Sequence, residues 1–160
     1  MKFYDLKIVK QLQCRFYENF SEEVYNEYDE YMSEVSKIEL EQREKVLPLL
    51  SKELAELFSR DFIHDSFIKT VNLKRFKKLN KFPEVRLTIY GYNVKGILTY
   101  KDVVRYKYDD TFTDKAFQCE CLFDELYLDE DNNIVHSILQ HPFGEISVTA
   151  KSIEWKSLLK

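Results

Sequence analysis

His64 and Asp65 stand side by side in the stretch "SRDFIHDSFIKT" and are the first pair in this 160-residue chain with the makings of a chemical site. A His-Asp doublet can hand an imidazole and a carboxylate to a divalent metal for hydrolysis. One doublet supplies only part of a metal's ligand set, so such a site needs further His, Asp or Glu residues placed to join it. Here His64 is the earliest histidine, and the residues after it turn β-branched and aromatic, so the required context is missing. The pair is expected to close a corner between helix and strand, its polar atoms bonding the last helix carbonyls and the turn amides.

A second constellation is Cys119, Cys121, His136 and His141, all ligand types that zinc accepts. Zinc ordinarily takes its cysteines from C-x₂₋₄-C turns. In a strand, a C-x-C pair holds its Cβ atoms about 6–7 Å apart, and both thiolates reach one ion only if the strand bends. Buried core thiols are therefore the expectation, with no metal and no other cofactor. Cys14 makes the cysteine count odd, which fits reduced thiols rather than a disulfide framework.

The stretch "KTVNLKRFKKLNKFP" sets Lys69, Lys74, Arg75, Lys77, Lys78 and Lys81 among Phe76 and Phe82, with no acid from Ser66 through Pro83. Basic residues interleaved with aromatics are the footprint of single-strand nucleic-acid binding. The net charge of −4 opposes it, and a solvated loop or a Lys-protected edge strand explains the same residues, so nucleic acid stays the secondary reading. In "VYNEYDEYM", Tyr25, Tyr28 and Tyr31 alternate with acids including Glu27 and Glu30, and Glu34 follows. Tyrosine brings contact area with few rotors, so this face is the best candidate for a protein partner, although a half-buried helix also uses tyrosine. No Gly-rich phosphate loop, G-x-S-x-G elbow or Cys-His or Ser-His set occurs at recognisable spacing, and no catalytic residue is expected.

The elements that must position these residues follow from periodicity. Val9, Leu12, Phe16 and Phe20 recur at helical spacing and predict a first helix. Asn19 or Ser21 can cap a longer second helix with Glu22 and Glu23 in its first turn, its apolar stripe running through Val24, Tyr28, Tyr31, Val35 and Ile38. Pro48 should end or kink it, and Ser51 can cap a short third helix burying Leu54, Leu57 and Phe58. After Asp61 the period becomes alternating. Val85, Leu87 and Ile89 predict a strand, followed by a turn near Asn93–Gly96 and a second strand. Phe117, Cys119, Cys121 and Phe123 are expected on one strand face, with a hairpin around Asp131–Asn133 and a last strand with Ile146, Val148 and Ala150 inward. Helices followed by strands without βαβ alternation point to an α+β domain, N-terminal helices packed on a C-terminal antiparallel β-sheet.

Residues 1–60 carry nine basic and thirteen acidic side chains, residues 61–109 eleven and five, and residues 110–160 four and ten, giving blocks of −4, +6 and −6. Such segregation suits acidic and basic faces that meet internally or steer a charged partner. With 44% hydrophobic content, three Gly, three Pro and no linker-like tract, one domain over residues 1–160 is expected, its helical part ending near residue 60. Asp5, Lys7 and Lys10 interrupt the N-terminus, and no run approaches the ~20 apolar residues of a membrane span. A soluble cytoplasmic protein without membrane contact is expected.

Leu47-Pro48 ahead of "HDSFI", then "CLFDELYLDEDNNIVHSIL" and the closing "GEISVTAKSIEW", resemble a group of small bacterial proteins carrying a domain of unknown function. That group combines a helical N-terminus, an HD junction and a sheet with an acidic hairpin. Its form is similar to that of immunity proteins, which neutralise a toxin by binding it. The resemblance implies a non-enzymatic binding protein, and the basic partner or toxin would meet the acidic helix.

Overall fold

Ser21 holds extended backbone and its hydroxyl accepts the Val24 amide at 3.3 Å, so the long helix α1 (Glu22–Val46) begins at a side-chain cap with two glutamates in its first turn. It stops where Pro48 forbids continuation. A single 3-10 turn, Leu47–Leu49, follows, and Ser51 then caps α2 (Lys52–Phe58) through the Leu54 amide. Six strands complete the chain: β1 (Phe67–Lys74), β2 (Glu84–Tyr90), β3 (Lys95–Asp109), β4 (Cys119–Leu128), β5 (Ile134–Gln140) and β6 (Gly144–Ser157). The computed structural model describes residues 2–5, 7–9, 11, 21–74, 83–91, 94–109, 119–140 and 144–159, without the side chains of Asp109 and Cys119. Of the expected first helix, Val9 is helical and fully buried, and Leu12, Phe16 and Phe20 lie outside the described residues.

The α+β class is as expected, and the sheet does more than lie beneath the helices. All neighbouring strands pair antiparallel in the order β1-β2-β3-β6-β5-β4, and β4 returns to β1 through Phe67 opposite Glu120 and Ile68 opposite Cys119, closing a barrel. Two three-stranded meanders thus join along the long β3–β6 ladder. Closure bends the strands at irregular points. β3 turns where Asp102 adopts φ 51° and the Val103 amide bonds the Pro83 carbonyl at 3.0 Å. The β4–β5 hairpin turns where expected, on Asn132 at φ 58°, with the Asp129 carboxylate accepting the amides of Asp131 and Asn133. In the β2–β3 hairpin Gly96 is already strand, paired with Ile89, rather than part of the turn.

Inside the barrel, Leu87, Ile89, Leu98, Leu126, Ile138, Ile146 and Val148 are shut from solvent, and Val46, Leu54, Phe58 and Ile63 from the helical segment join the same cluster. The helices therefore cap an open end of the barrel. A smaller cluster forms outside, where Tyr4, Val9 and Val35 meet Leu139 with Tyr31 and Phe123 at its margin. The two clusters correct three expectations. Cys121 belongs to the inner core and Phe123 packs against the outer one, because a bulge between them reverses the alternation. Ile38 is 49% exposed, and the residues that continue the buried face of α1 beyond Val35 are Glu39, Arg43 and Val46. Leu57 is only half-buried beside Leu54 and Phe58.

Two contacts hold the periphery. The fully buried Glu125 carboxylate on β4 accepts the amides of Lys2, Phe3 and Tyr4 at 2.6, 2.7 and 2.8 Å, fixing the N-terminal segment to the barrel wall. At the other side, Trp155 approaches Gly96 so closely that a Cβ there would lie 2.2 Å from the indole ring. Gly96→Ala should therefore displace the indole and its edge-on contact with Phe62, lowering stability by about 1–3 kcal/mol. Urea unfolding followed by the emission of the single Trp reads both effects, and a variant with wild-type stability and emission would contradict this packing.

Candidate functional site

Arg43 stands on the buried face of α1 where an apolar residue is the norm. Its Nε donates to Glu39 Oε1 at 2.8 Å, one turn earlier. One terminal nitrogen reaches the Phe58 carbonyl at 2.9 Å and Asp61 Oδ1 at 3.0 Å, and the other bonds the Asp124 carbonyl at 3.3 Å and faces its Oδ1 at 3.4 Å. The planar fork suits such divergent partners, and the Phe58 bond satisfies one of the carbonyls left open at the end of α2. Glu39 is held from the other side by the Leu126 amide, which donates to the same Oε1 at 3.3 Å.

Behind Asp124 the chain of polar groups continues into the barrel. Asp124 Oδ2 lies 3.1 Å from His136 Nε2, and His136 Nδ1 lies 2.6 Å from the Tyr100 hydroxyl. Every partner is satisfied when Nε2–H donates to the carboxylate and the phenol donates to Nδ1. Phe58 packs edge-on against the imidazole with ring centres 5.2 Å apart. Tyr100 and His136 are at most 1% exposed, so the inner end of the relay meets protein alone.

Burial works to raise the Asp124 carboxyl, but Arg43 and the adjoining imidazole outweigh it and hold Asp124 below the usual carboxylate range. For Glu39 the balance is reversed: burial prevails over Arg43 and the group is raised. Burial, with Asp124 nearby, pushes Tyr100 well above its ordinary value, and burial takes Tyr4 up to about 12 against the Ser36 hydrogen bond. Asp124 is thus a fixed anion.

A cavity of about 390 Å³ opens over this network between α1, the α2–β1 corner and β4, within the about 300–1,000 Å³ of small-ligand sites. Its carboxylates are Glu39, Glu44, Asp61 and Asp124; its positive charge is Arg43, with His64 at the rim. Tyr4, Phe58 and Phe123 supply aromatic wall. The corner is pinned to β4: the Asp65 amide donates to the Cys121 carbonyl at 3.0 Å, and the Cys121 amide to the Ser66 carbonyl at 2.7 Å.

His64 and Asp65 sit at the joint between helix and strand, but their substantially exposed side chains meet each other, Nδ1 to Oδ1 at 3.1 Å, and backbone bonds rather than these side chains close the corner, contrary to expectation. Cys121 is buried in the core and both ring nitrogens of His136 are engaged by Asp124 and Tyr100, while His141 and the Cys119 side chain lie outside the described residues. Among the described residues, no three His, Cys, Asp or Glu side chains converge as metal ligands. Lys69 is exposed and lies over the Tyr90 ring, as does Lys95; Lys74 is exposed, and Arg75, Lys77 and Lys78 lie outside the described residues. Tyr25, Glu27, Glu30 and Glu34 are exposed on α1 and Tyr28 is half-buried, whereas the Tyr31 hydroxyl accepts the Asp5 amide at 2.8 Å and belongs to the packing of the N-terminus.

Glu39, Arg43, Asp61, Tyr100 and Asp124 are not among the site residues expected from the sequence. The signal for two of them was present: Val35, Glu39, Arg43 and Val46 follow one another at four, four and three, a charged i, i+4 pair on the buried line of a helix. No protein-family model matches the chain, and no curated protein matches it significantly.

Three outcomes follow. Native Asp124 binds its proton less tightly than the unfolded carboxyl, so the unfolded state takes up more protons and stability falls as pH drops below about 5. Asp124→Asn should flatten this acid limb in melts between pH 6 and 2.5; an unchanged slope would contradict it. Tyr4 and Tyr100 act at the alkaline end, where unfolded phenols ionise first and stability falls as pH rises past about 10. At the corner, Asp65 holds φ 59°, a conformation that Asn tolerates and Ala resists by about 1–2 kcal/mol. Melting points should rank wild type, Asp65→Asn, Asp65→Ala, and equal values for the two variants would argue against a strained corner.

Proposed function

We propose that this chain is a non-enzymatic binding protein of the immunity type, bacterial and cytoplasmic, that engages a basic protein partner through the acidic, tyrosine-bearing face of α1. One observation carries the reading. Glu22, Glu23, Glu27, Asp29, Glu30, Glu34, Glu41 and Glu44 are all exposed on α1, against Lys37 and Lys45 as the exposed bases of that helix. The two charges that could have stabilised the interior, Glu39 and Arg43, face inward and satisfy each other. An outward field of one sign steers a partner of the opposite sign, raising association rate and orienting the encounter. Tyr25, 46% exposed amid these acids, supplies apolar contact area once the partner has docked. No described helix is long and apolar enough to cross a membrane.

Glu30→Lys combined with Glu34→Lys should leave the melting point within a few degrees of wild type, because each exposed charge contributes only about 0–1 kcal/mol. Association with a partner recovered from native lysate and then purified should slow by about tenfold or more at low salt, with the difference closing as salt is added. Stopped-flow or surface-based kinetics on the purified pair measure this. Equal association rates for wild type and variant would remove α1 as the docking face.

A further inference from the structure

We infer that the cavity over Arg43 is a cation site that receives the guanidinium or ammonium group of a basic side chain carried by the protein partner. This inference rests on the binding reading above and extends it from a steering surface to an anchoring pocket. Three features carry it. Glu39, Glu44, Asp61 and Asp124 line the cavity against the single guanidinium of Arg43, which leaves an excess of negative charge beside a space of about 390 Å³. The carboxylates also retain acceptor capacity. The Glu39 side chain is only 8% exposed, and both of its hydrogen bonds, from Arg43 and the Leu126 amide, fall on Oε1; Oε2 has no partner among the described residues. Asp61 gives Oδ1 to Arg43 and is 64% exposed at the mouth, where a second cation can reach Oδ2. Finally, Tyr4 and Phe123 stack at 5.2 Å and, with Phe58, give the cavity aromatic wall, the surface against which a guanidinium or ammonium gains cation–π attraction.

The position of the cavity links it to the partner. Ser36, Leu40 and Glu44 bring the C-terminal half of α1 to its rim, and the acidic face runs from there to Glu22 along the same helix. A buried anchor surrounded by a charged rim is the usual division of labour in a binding surface, with affinity concentrated in the side chain that enters the pocket. The site reads charge rather than shape alone. A neutral isostere of the same length would leave Glu39 and Asp61 without the cation they face, an unpaired arrangement that binding sites reject strongly.

Amide NMR on the intact chain tests this with three probes: agmatine, the uncharged N-butylurea, and a nine-residue Gly/Ser peptide with one central Arg. Saturable agmatine shifts at Ser36, Leu40, Ser59 and His64, with none from N-butylurea, are expected. Glu44→Lys, at an exposed rim position that leaves the fold unchanged, should weaken agmatine by about tenfold. The Arg peptide should bind at the same residues. Absence of saturable agmatine binding, or equal response to N-butylurea, overturns the cation site. Agmatine binding without peptide binding overturns the partner side chain as occupant and assigns the cavity to a free small cation. The Glu30→Lys/Glu34→Lys variant keeps these separate from the docking reading: it lies outside the cavity lining and should bind agmatine as wild type does even where partner association is lost.

Discussion

One buried guanidinium ties the helical segment to the barrel. Arg43 leaves α1, closes the end of α2 at Phe58, holds the following turn at Asp61 and reaches β4 at Asp124, so four stretches of chain depend on one side chain. Removing a charge from water is tolerable only with full pairing, and the surrounding groups supply it. Breaking the set at one member is therefore expected to be far more damaging than replacing it whole. The relay behind it, Asp124 to His136 to Tyr100, extends this constraint across the barrel interior, and the anionic state of Asp124 orients the imidazole.

This constraint also shapes the surface. α1 turns Glu39 and Arg43 inward as a pair, which leaves its solvent side with a nearly uniform negative charge. The cavity forms where the inward and outward programmes meet, at the C-terminal half of α1, and inherits carboxylates from both. The charges that anchor α1 thus lie about one turn from its exposed acids on the same helix.

Much of the architecture was legible in the sequence, and what was not has identifiable causes. Caps at Ser21 and Ser51, the break at Pro48 and the turn at Asn132 are local, and each is set by a side chain acting within a few residues of itself. Barrel closure depends on Phe67 and Ile68 meeting Glu120 and Cys119, some fifty residues away, and no local pattern records that pairing. Bulges defeated the simple alternation of β4, placing Cys121 and Phe123 in different cores. Ile38 looked like the next step of an apolar stripe, yet the buried line ran through Glu39 and Arg43, because pairing made charged residues acceptable where hydropathy alone would refuse them. The site was hidden for the same reason: its members are distant in sequence and only the barrel brings Tyr100, Asp124 and His136 onto one line.

The measurement that bears most directly on this account is a double-mutant cycle on unfolding free energy with Arg43→Met and Asp124→Leu. Each single change removes one side of the Arg43–Asp124 contact, and the losses that Glu39 suffers without Arg43 and His136 suffers without Asp124 recur in the double variant, so the coupling energy isolates the contact itself. The double variant should lose less stability than the sum of the two single variants, with a coupling energy above about 1.5 kcal/mol. Additive losses, with a coupling energy within about 0.5 kcal/mol of zero, would show that Arg43 does not hold the helices to the barrel through Asp124.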